Sequence, residues 1–150
     1  MAQSNRREKP FHVACYLILL KPNQALLSRR YNTGYEDGNY SLVAGHVEAD
    51  ETVLDALVRE AEEEAGIRIK RDDLEFVSVL HRNTKGSRIY LDFFFKCSRW
   101  DGEPHNAEPD KCDQILWAEL DRLPENVIPY VRQAIETATG SGDAYWEVGW

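Results

Sequence analysis

The stretch 45–67, GHVEADETVLDALVREAEEEAGI, decides how the rest of the chain is read. Its apolar residues recur at helical spacing over about 51–65, and Gly66 follows where a left-handed C-terminal cap is expected. With Val53 as origin and about 100° per residue, Val53, Leu57, Ala61, Leu54, Ala65 and Val58 span about 140°. That arc is the expected core-facing stripe. Glu60, Glu64 and Glu63 fall at about −20°, +20° and −80°, beside the stripe and not opposite it. Like charges at i,i+3 and i,i+4 destabilise an isolated helix by a few tenths of a kcal/mol per pair. Arg59 is the one cation within the helix to relieve them, and Glu62, on the far side, reads as solvated. An acidic face open to water accounts for the spacing. A metal site accounts for it too, and also for carboxylates bordering the core, where crowding raises their pKa values unless a cation compensates. Hard oxygen donors grouped this way suit Mg²⁺ or Mn²⁺, ions that also coordinate substrate phosphates.

Outward from this helix, residues 11–20 (FHVACYLILL) are apolar on both faces and predict a central strand. Residues 24–31 predict a second strand after the Lys21-Pro22-Asn23 turn, and 32–39 (NTGYEDGN) a loop. A short strand is expected over 40–43 and a tight turn over 44–50. Strands over 74–82 and 88–97 are joined by the hairpin signal Asn83-Thr84-Lys85-Gly86-Ser87. A polar loop over 99–111, a strand over 114–120 and a helix over 126–139, with Pro129 in its first turn, complete the order. Strands then helix, twice over, predict an α/β (α+β) class with helices packed on a mixed sheet. Residues 1–150 are expected to form one domain with a polar N-terminal arm over 1–10.

The chain carries 18 Lys and Arg against 26 Asp and Glu, a net charge of −8. That argues against a non-specific binder of nucleic-acid polymers or of a membrane surface, while a divalent cation would still admit an anionic substrate. The longest apolar run, 13–20, falls far short of the ~20 residues of a membrane span, and the N-terminus lacks the apolar core of a signal peptide. Cys15, Cys97 and Cys112, odd in number and without metal-type spacing, suggest a reducing, cytoplasmic setting.

The stretch 45–67 resembles the Nudix box, G-x5-E-x7-R-E-U-x-E-E-x-G-U with U aliphatic. Gly45, Glu51, Arg59, Glu60, Glu63, Glu64, Gly66 and Ile67 fall on it, with the small Ala61 at the first U position. The resemblance to MutT-like Nudix hydrolases extends over the chain through length and element order. It implies an α/β/α sandwich with a mixed central sheet, and Mg²⁺- or Mn²⁺-dependent cleavage of a nucleotide pyrophosphate bond by water. On this chain it implies Glu60, Glu63 and Glu64 as metal ligands, Glu60 or Glu63 as base, and the Ala44 carbonyl as a backbone ligand. Arg59 would orient the glutamates, Glu51 would tie turn to helix, and Gly45 and Gly66 would serve the backbone. Glu108 is expected as a further carboxylate from the polar loop.

Tyr40 and Ser41 resemble the family's base-contact strand, with Asp113 and Trp117 expected as the far wall of that pocket; core packing is the other reading of Trp117. Arg29 is expected on phosphate, with Arg30 sent to the other face by alternation. His46 reads as a helix-entry residue or a phosphate contact, and the tail with Tyr145, Trp146 and Trp150 as packed on the sheet or part of a dimer contact. Marks of the family's ADP-ribose, NADH and coenzyme A hydrolases are missing. What remains implies a (d)NTP pyrophosphohydrolase releasing NMP and pyrophosphate, acting on normal or modified nucleotides as a monomer or homodimer. The alternatives are a nucleotide-sugar or dinucleoside-polyphosphate hydrolase, and a nucleotide-binding sensor without turnover.

Overall fold

The computed structural model describes residues 10–86 and 88–150. The expected arm over 1–10, apart from Pro10, lies outside the described residues, as does Ser87 of the hairpin turn. The elements run β1 (His12–Lys21), β2 (Gln24–Arg30), β3 (Tyr40–Ser41), β4 (Val43–His46), α1 (Val53–Ala65), a 3₁₀ turn (Arg71–Asp73), β5 (Glu75–Asn83), β6 (Ile89–Cys97), β7 (Cys112–Glu119), α2 (Pro129–Ala138) and β8 (Tyr145–Val148). The sheet order is β3-β2-β1-β6-β5-β8, with β4 also on β1 and β7 on β2. β1 is central, as its apolar faces require: it runs parallel to β6 and antiparallel to β2 and β4. Ala14, Tyr16 and Ile18 point into a core with Val131, Ala134 and Ile135 of α2. Cys15, Leu17 and Leu19 point the other way, onto Leu57, Ala61 and Ala65 of α1. The result is the expected mixed sheet between two helices, an α/β/α sandwich.

Two segments depart from the sequence reading. Residues 44–46, expected as a turn, continue a strand. The chain pairs with β2 at Ser41, crosses at Leu42 and pairs with β1 from Val43 to His46. The glycine that suggested a turn is needed for a close approach, because a Cβ at Gly45 would overlap the Glu60 carboxylate. The tail forms β8, parallel to β5, with Trp146 turned onto Phe94 at a ring-centroid distance of 5.6 Å.

Helix α1 begins at Val53 because Thr52 caps it: its Oγ1 accepts from Asp55 N, and Asp55 Oδ2 accepts from Thr52 N. It ends at Gly66 with φ 65°, where Gly66 N donates to Glu62 O and Ile67 N to Ala61 O. Two further carbonyls of the last turn are taken by the polar loop: His105 N donates to Ala65 O at 3.0 Å and Ala107 N to Glu64 O at 3.1 Å. The loop carrying Glu108 is thereby fastened to the helix carrying the glutamates. No helix among the described residues is long and apolar enough to cross a membrane. All three cysteines are free thiols.

Gly66 meets two demands, a positive φ and a surface on which the His105 ring lies where a Cβ would stand. Gly66→Ala is expected to cost about 1–3 kcal/mol. At about 2–4 °C per kcal/mol for a chain of this size, a calorimetric scan should show a fall of several degrees.

Candidate active site

A cavity of about 850 Å³ opens between β1, β2, β4, α1 and the polar loop. Its acidic end holds Glu60, Glu63 and Glu64 of α1 with Glu108 of the loop. The helix presents them as its period dictates, with one difference from the expected stripe. Ala56 and Glu60 are buried while Leu54 and Val58 are only half-buried, so the core-facing arc is rotated toward the carboxylates. Glu60 thus lies inside the buried arc, not beside it.

One guanidinium organises this end. Arg59 Nε and Nη2 donate to the two Glu51 oxygens at 3.1 and 2.6 Å. Its Nη1 donates to Glu60 Oε1 at 2.7 Å and Glu63 Oε2 at 3.2 Å, and Nη2 also to the His46 carbonyl at 3.1 Å. Glu51 in turn accepts from Glu48 N, closing the turn onto the helix. The Glu64 carboxylate receives one hydrogen bond among the described residues, from Ala44 N at 3.0 Å. Ala44 therefore meets the helix through its N–H. Burial raises the Glu60 carboxyl above its ordinary range, against the lowering effect of Arg59. Glu64 is raised well above it by burial, with the charges of Glu60 and Glu108 adding to the rise and the Ala44 N–H opposing it.

These side chains fit a hard divalent cation by their chemistry. Carboxylates are crowded at a partly buried site, and the one cation beside them is already shared among Glu51, Glu60 and Glu63. Among the described residues no three acidic, histidine or cysteine side chains form a ready-made cage. The four glutamates line one cavity, and a coordination shell there would be completed by water and substrate phosphates, as suits Mg²⁺.

Elsewhere the lining includes cations and aromatic rings. Arg29 and Arg30 both reach the cavity, whereas strict alternation would have sent them to opposite faces. The pairing of β2 with β7 shifts register between these two residues, and the bulge turns both inward. Arg29 is held by Asp113 at 2.7 Å, and Arg30 Nε donates to Tyr35 O at 2.6 Å. His46 lines the cavity from the end of β4, with Nε2 at 3.2 Å from Tyr90 Oη.

Tyr40, Ser41, Asp113 and Trp117 do not line this cavity. Tyr40 is buried, with Oη donating to Gln114 Oε1, and Ser41 is buried on the β2 edge. Asp113 reaches the site only through Arg29. Trp117 stacks on Trp100 at 5.7 Å beneath the Lys21 ammonium, on the α1 side of the sheet.

Sequence reasoning did not find Arg82, Tyr35, Tyr90, Arg88 or Lys111, all of which line the cavity. Arg82 and the fully buried Asp92 form a two-pronged pair, Nε to Oδ2 at 2.7 Å and Nη2 to Oδ1 at 3.1 Å. The guanidinium lies 4.4 Å from the Tyr90 ring centroid and 4.8 Å from that of Tyr130. Its Nη1 donates to Tyr35 Oη at 3.3 Å, which places the 32–39 loop over the pair. The available signal was Asp92 itself, a lone charge inside the apolar run IYLDFFF, where a buried carboxylate needs a cation on a neighbouring strand.

A model of the NUDIX domain matches residues 10–137. The chain belongs to the Nudix family. It is similar in structure to a MutT NUDIX hydrolase from Burkholderia pseudomallei, with 28% identity and a TM-score of 0.79 over 85% of this chain and 98% of that one. It also resembles a MutT structure from a study of Aliivibrio salmonicida and Vibrio cholerae, with 26% identity and a TM-score of 0.60 over 83% of this chain and 95% of that one. In sequence it is 35% identical over 123 residues, 81% of this chain, to an NAD-capped RNA hydrolase, NudC, from Photobacterium profundum. A protein of the same name from Klebsiella pneumoniae subsp. pneumoniae is 35% identical over 72 residues, 47% of this chain. The chain spans 43% and 28% of those two relatives' lengths. The family is one of hydrolases that act on nucleotide-containing substrates with divalent cations.

Removing one partner of a buried ion pair leaves the other charge uncompensated, at a cost of about 3–5 kcal/mol. Asp92→Asn is therefore expected to lower the denaturant midpoint strongly, measured by urea unfolding, although Asp92 lies outside the glutamate cluster.

Proposed function

We propose that this Nudix hydrolase cleaves a nucleoside or deoxynucleoside triphosphate with water, releasing the monophosphate and pyrophosphate. The observation that carries this reading is the charge arrangement of one cavity. Glu60, Glu63, Glu64 and Glu108 line it together with Arg30, Arg88 and Lys111, three cations without an ion pair among the described residues. Carboxylates attract a divalent cation, and cations free of carboxylates attract phosphate oxygens. A polyphosphate chain with its divalent cation satisfies both at once.

Glu60, Glu63, Glu64 and Glu108 would hold Mg²⁺, with Mn²⁺ as a substitute and the Ala44 carbonyl as a backbone donor. The bound cation supplies polarisation of the phosphoryl oxygens and a lowered pKa for the attacking water. Arg59 fixes the carboxylates of Glu60 and Glu63 from one side, so that one of the two accepts the proton of the water. Arg29 and Arg30, turned inward by the bulge, bind phosphate oxygens. Free thiols suit a cytoplasmic setting.

A second reading, cleavage of the pyrophosphate bond of NAD or of an NAD cap on RNA, is favoured by the likeness to the Photobacterium relative across 81% of this chain. The acidic net charge favours the free nucleotide over the polymer.

Two measurements test the site. Burial raises Glu60 and Glu64 above the ordinary 4.5, so their protonated forms stabilise the metal-free fold below about pH 4.5, and that stabilisation is lost as pH rises through the raised values. Mg²⁺ replaces those protons and should stabilise more at pH 8 than at pH 5. Saturation a hundredfold above Kd is worth about 2.7 kcal/mol, or about 5–10 °C in Tm. A melting curve indifferent to millimolar Mg²⁺ at pH 8 would remove the metal site.

The second measurement is product analysis on normal and oxidised dNTPs, nucleotide sugars, dinucleoside polyphosphates, NAD and NAD-capped RNA, with Glu64→Gln beside the wild type. Monophosphate plus pyrophosphate from a triphosphate, reduced about 100-fold or more in the variant, is the expected result. Cleavage confined to NAD or its RNA cap would establish the second reading. Nucleotide binding without any product would identify a sensor.

A further inference from the structure

Helix α1 packs on β1 and β4, and α2 covers the opposite face of the sheet; on the α1 side β6 joins that helix's core through Phe95 and Cys97, while the rest of β6, with β5 and β8, lies beyond it. Register shows which side chains stand there. Phe93 is paired with Val79 and Val79 with Tyr145, while Phe76 is paired with Phe95 at a ring-centroid distance of 5.6 Å. Their alternates, Phe94, Leu80 and Trp146, face α2. The C-terminus turns back over the same face, with Trp150 Nε1 donating to His81 O at 3.1 Å and its ring 4.6 Å from the His81 ring. Phe11 approaches that imidazole edge-on at 5.9 Å.

This face is open to water. Phe11 is 57% exposed, Phe76 52%, Tyr145 52% and Trp150 60%, and Val79, Leu91, Phe93 and Phe95 are half-buried. Aromatic side chains bury about 150–250 Å² each, so four rings more than half exposed leave roughly 400 Å² of apolar surface. The half-buried members carry the patch beyond that. A single protein surface seldom shows more than about 300–600 Å² of contiguous apolar area, and a standard interface takes about 800 Å² from each partner. The four rings supply about half of one side of such an interface, and the half-buried members add to it.

Charge selects the occupant. The chain carries a net charge of −8. Of the residues that register places on this face, Glu147, opposite His81, is the charged one. A basic partner would find its attraction elsewhere on the molecule. A neutral, flat apolar face is complementary to itself, the requirement of an interface around a two-fold axis.

We propose that the β6-β5-β8 face binds the same face of a second copy of this chain, forming a homodimer in which two sheets pack face to face. The contact begins beside the catalytic cavity, because the groove containing Phe11, Leu91 and Phe93 also reaches His46 and Arg88.

The test is sedimentation equilibrium of the full chain from 1 to 100 µM, with Phe76→Glu and Tyr145→Glu made separately. Both residues are more than half exposed, so each variant should keep the wild-type circular dichroism spectrum. The expected result is a wild-type mass twice the 17.3 kDa of the chain, with the dimer dissociation constant raised at least tenfold in each variant. A wild type that stays at the mass of one chain at 100 µM overturns the proposal, as does a dimer unaffected by both substitutions. The readout is independent of hydrolysis, so an inactive protein would refute the proposed function without touching this result.

Discussion

The Arg59 guanidinium is the interaction on which the catalytic end of the molecule depends. It binds two carboxylate oxygens of Glu51, one each of Glu60 and Glu63, and the carbonyl of His46, and so connects helix, turn and strand at one point. The helix brings like charges together at intervals that cost it stability. Arg59 offsets that cost for Glu60 and Glu63 and leaves Glu64 to the single N–H of Ala44. The position of β4 follows from the same contact, since only a glycine at 45 lets the strand pass the Glu60 carboxylate that Arg59 holds. The polar loop is bound to the end of the same helix by its backbone, so Glu108 keeps its place relative to Glu64 even though it comes from a distant part of the sequence.

What was legible in the sequence is what depends on local periodicity. The helix over 53–65, its cap at Gly66 and the crowding of Glu60, Glu63 and Glu64 all follow from 3.6 residues per turn. The central position of β1 follows from a strand apolar on both faces. The reading failed where a tertiary contact overrides a local sign. Gly45 signals a turn in isolation, yet in the fold it lies in a strand because a carboxylate occupies the space of its missing side chain. Arg29 and Arg30 alternate in isolation, yet a bulge opposite β7 turns both the same way. Tyr40 and Trp117 have surfaces suited to a base, but the apolar contacts that bury or stack them are long-range and were not visible along the chain.

The Arg82–Asp92 pair shows a different limit. Neither residue belongs to the box, and the two are joined only when β5 and β6 lie side by side. Burial raises Asp92 while the guanidinium lowers it, so the pair persists against a desolvation penalty that a hydrophobic pair would not incur. Its rigid, ring-flanked guanidinium forms part of the cavity wall beneath Tyr35, and the loop over it is shaped by Asp37, whose oxygens accept from Thr33 N and Gly34 N. A charge placed there contributes a fixed dipole to the site at the expense of stability.

Stability and chemistry are therefore separated in space. The two apolar cores on either side of β1 hold the sandwich together, and the cavity sits at one end of it, where Gly45, the bulge and the docked loop interrupt regular structure. Residues that destabilise the fold locally, the crowded glutamates and the buried ion pair, are gathered at that end and supported from behind by α1 and β1. The β6-β5-β8 face carries no such groups. Its exposed rings have no counterpart in the catalytic cavity, and their cost in solvated apolar area is recovered only when something equally flat and neutral covers them.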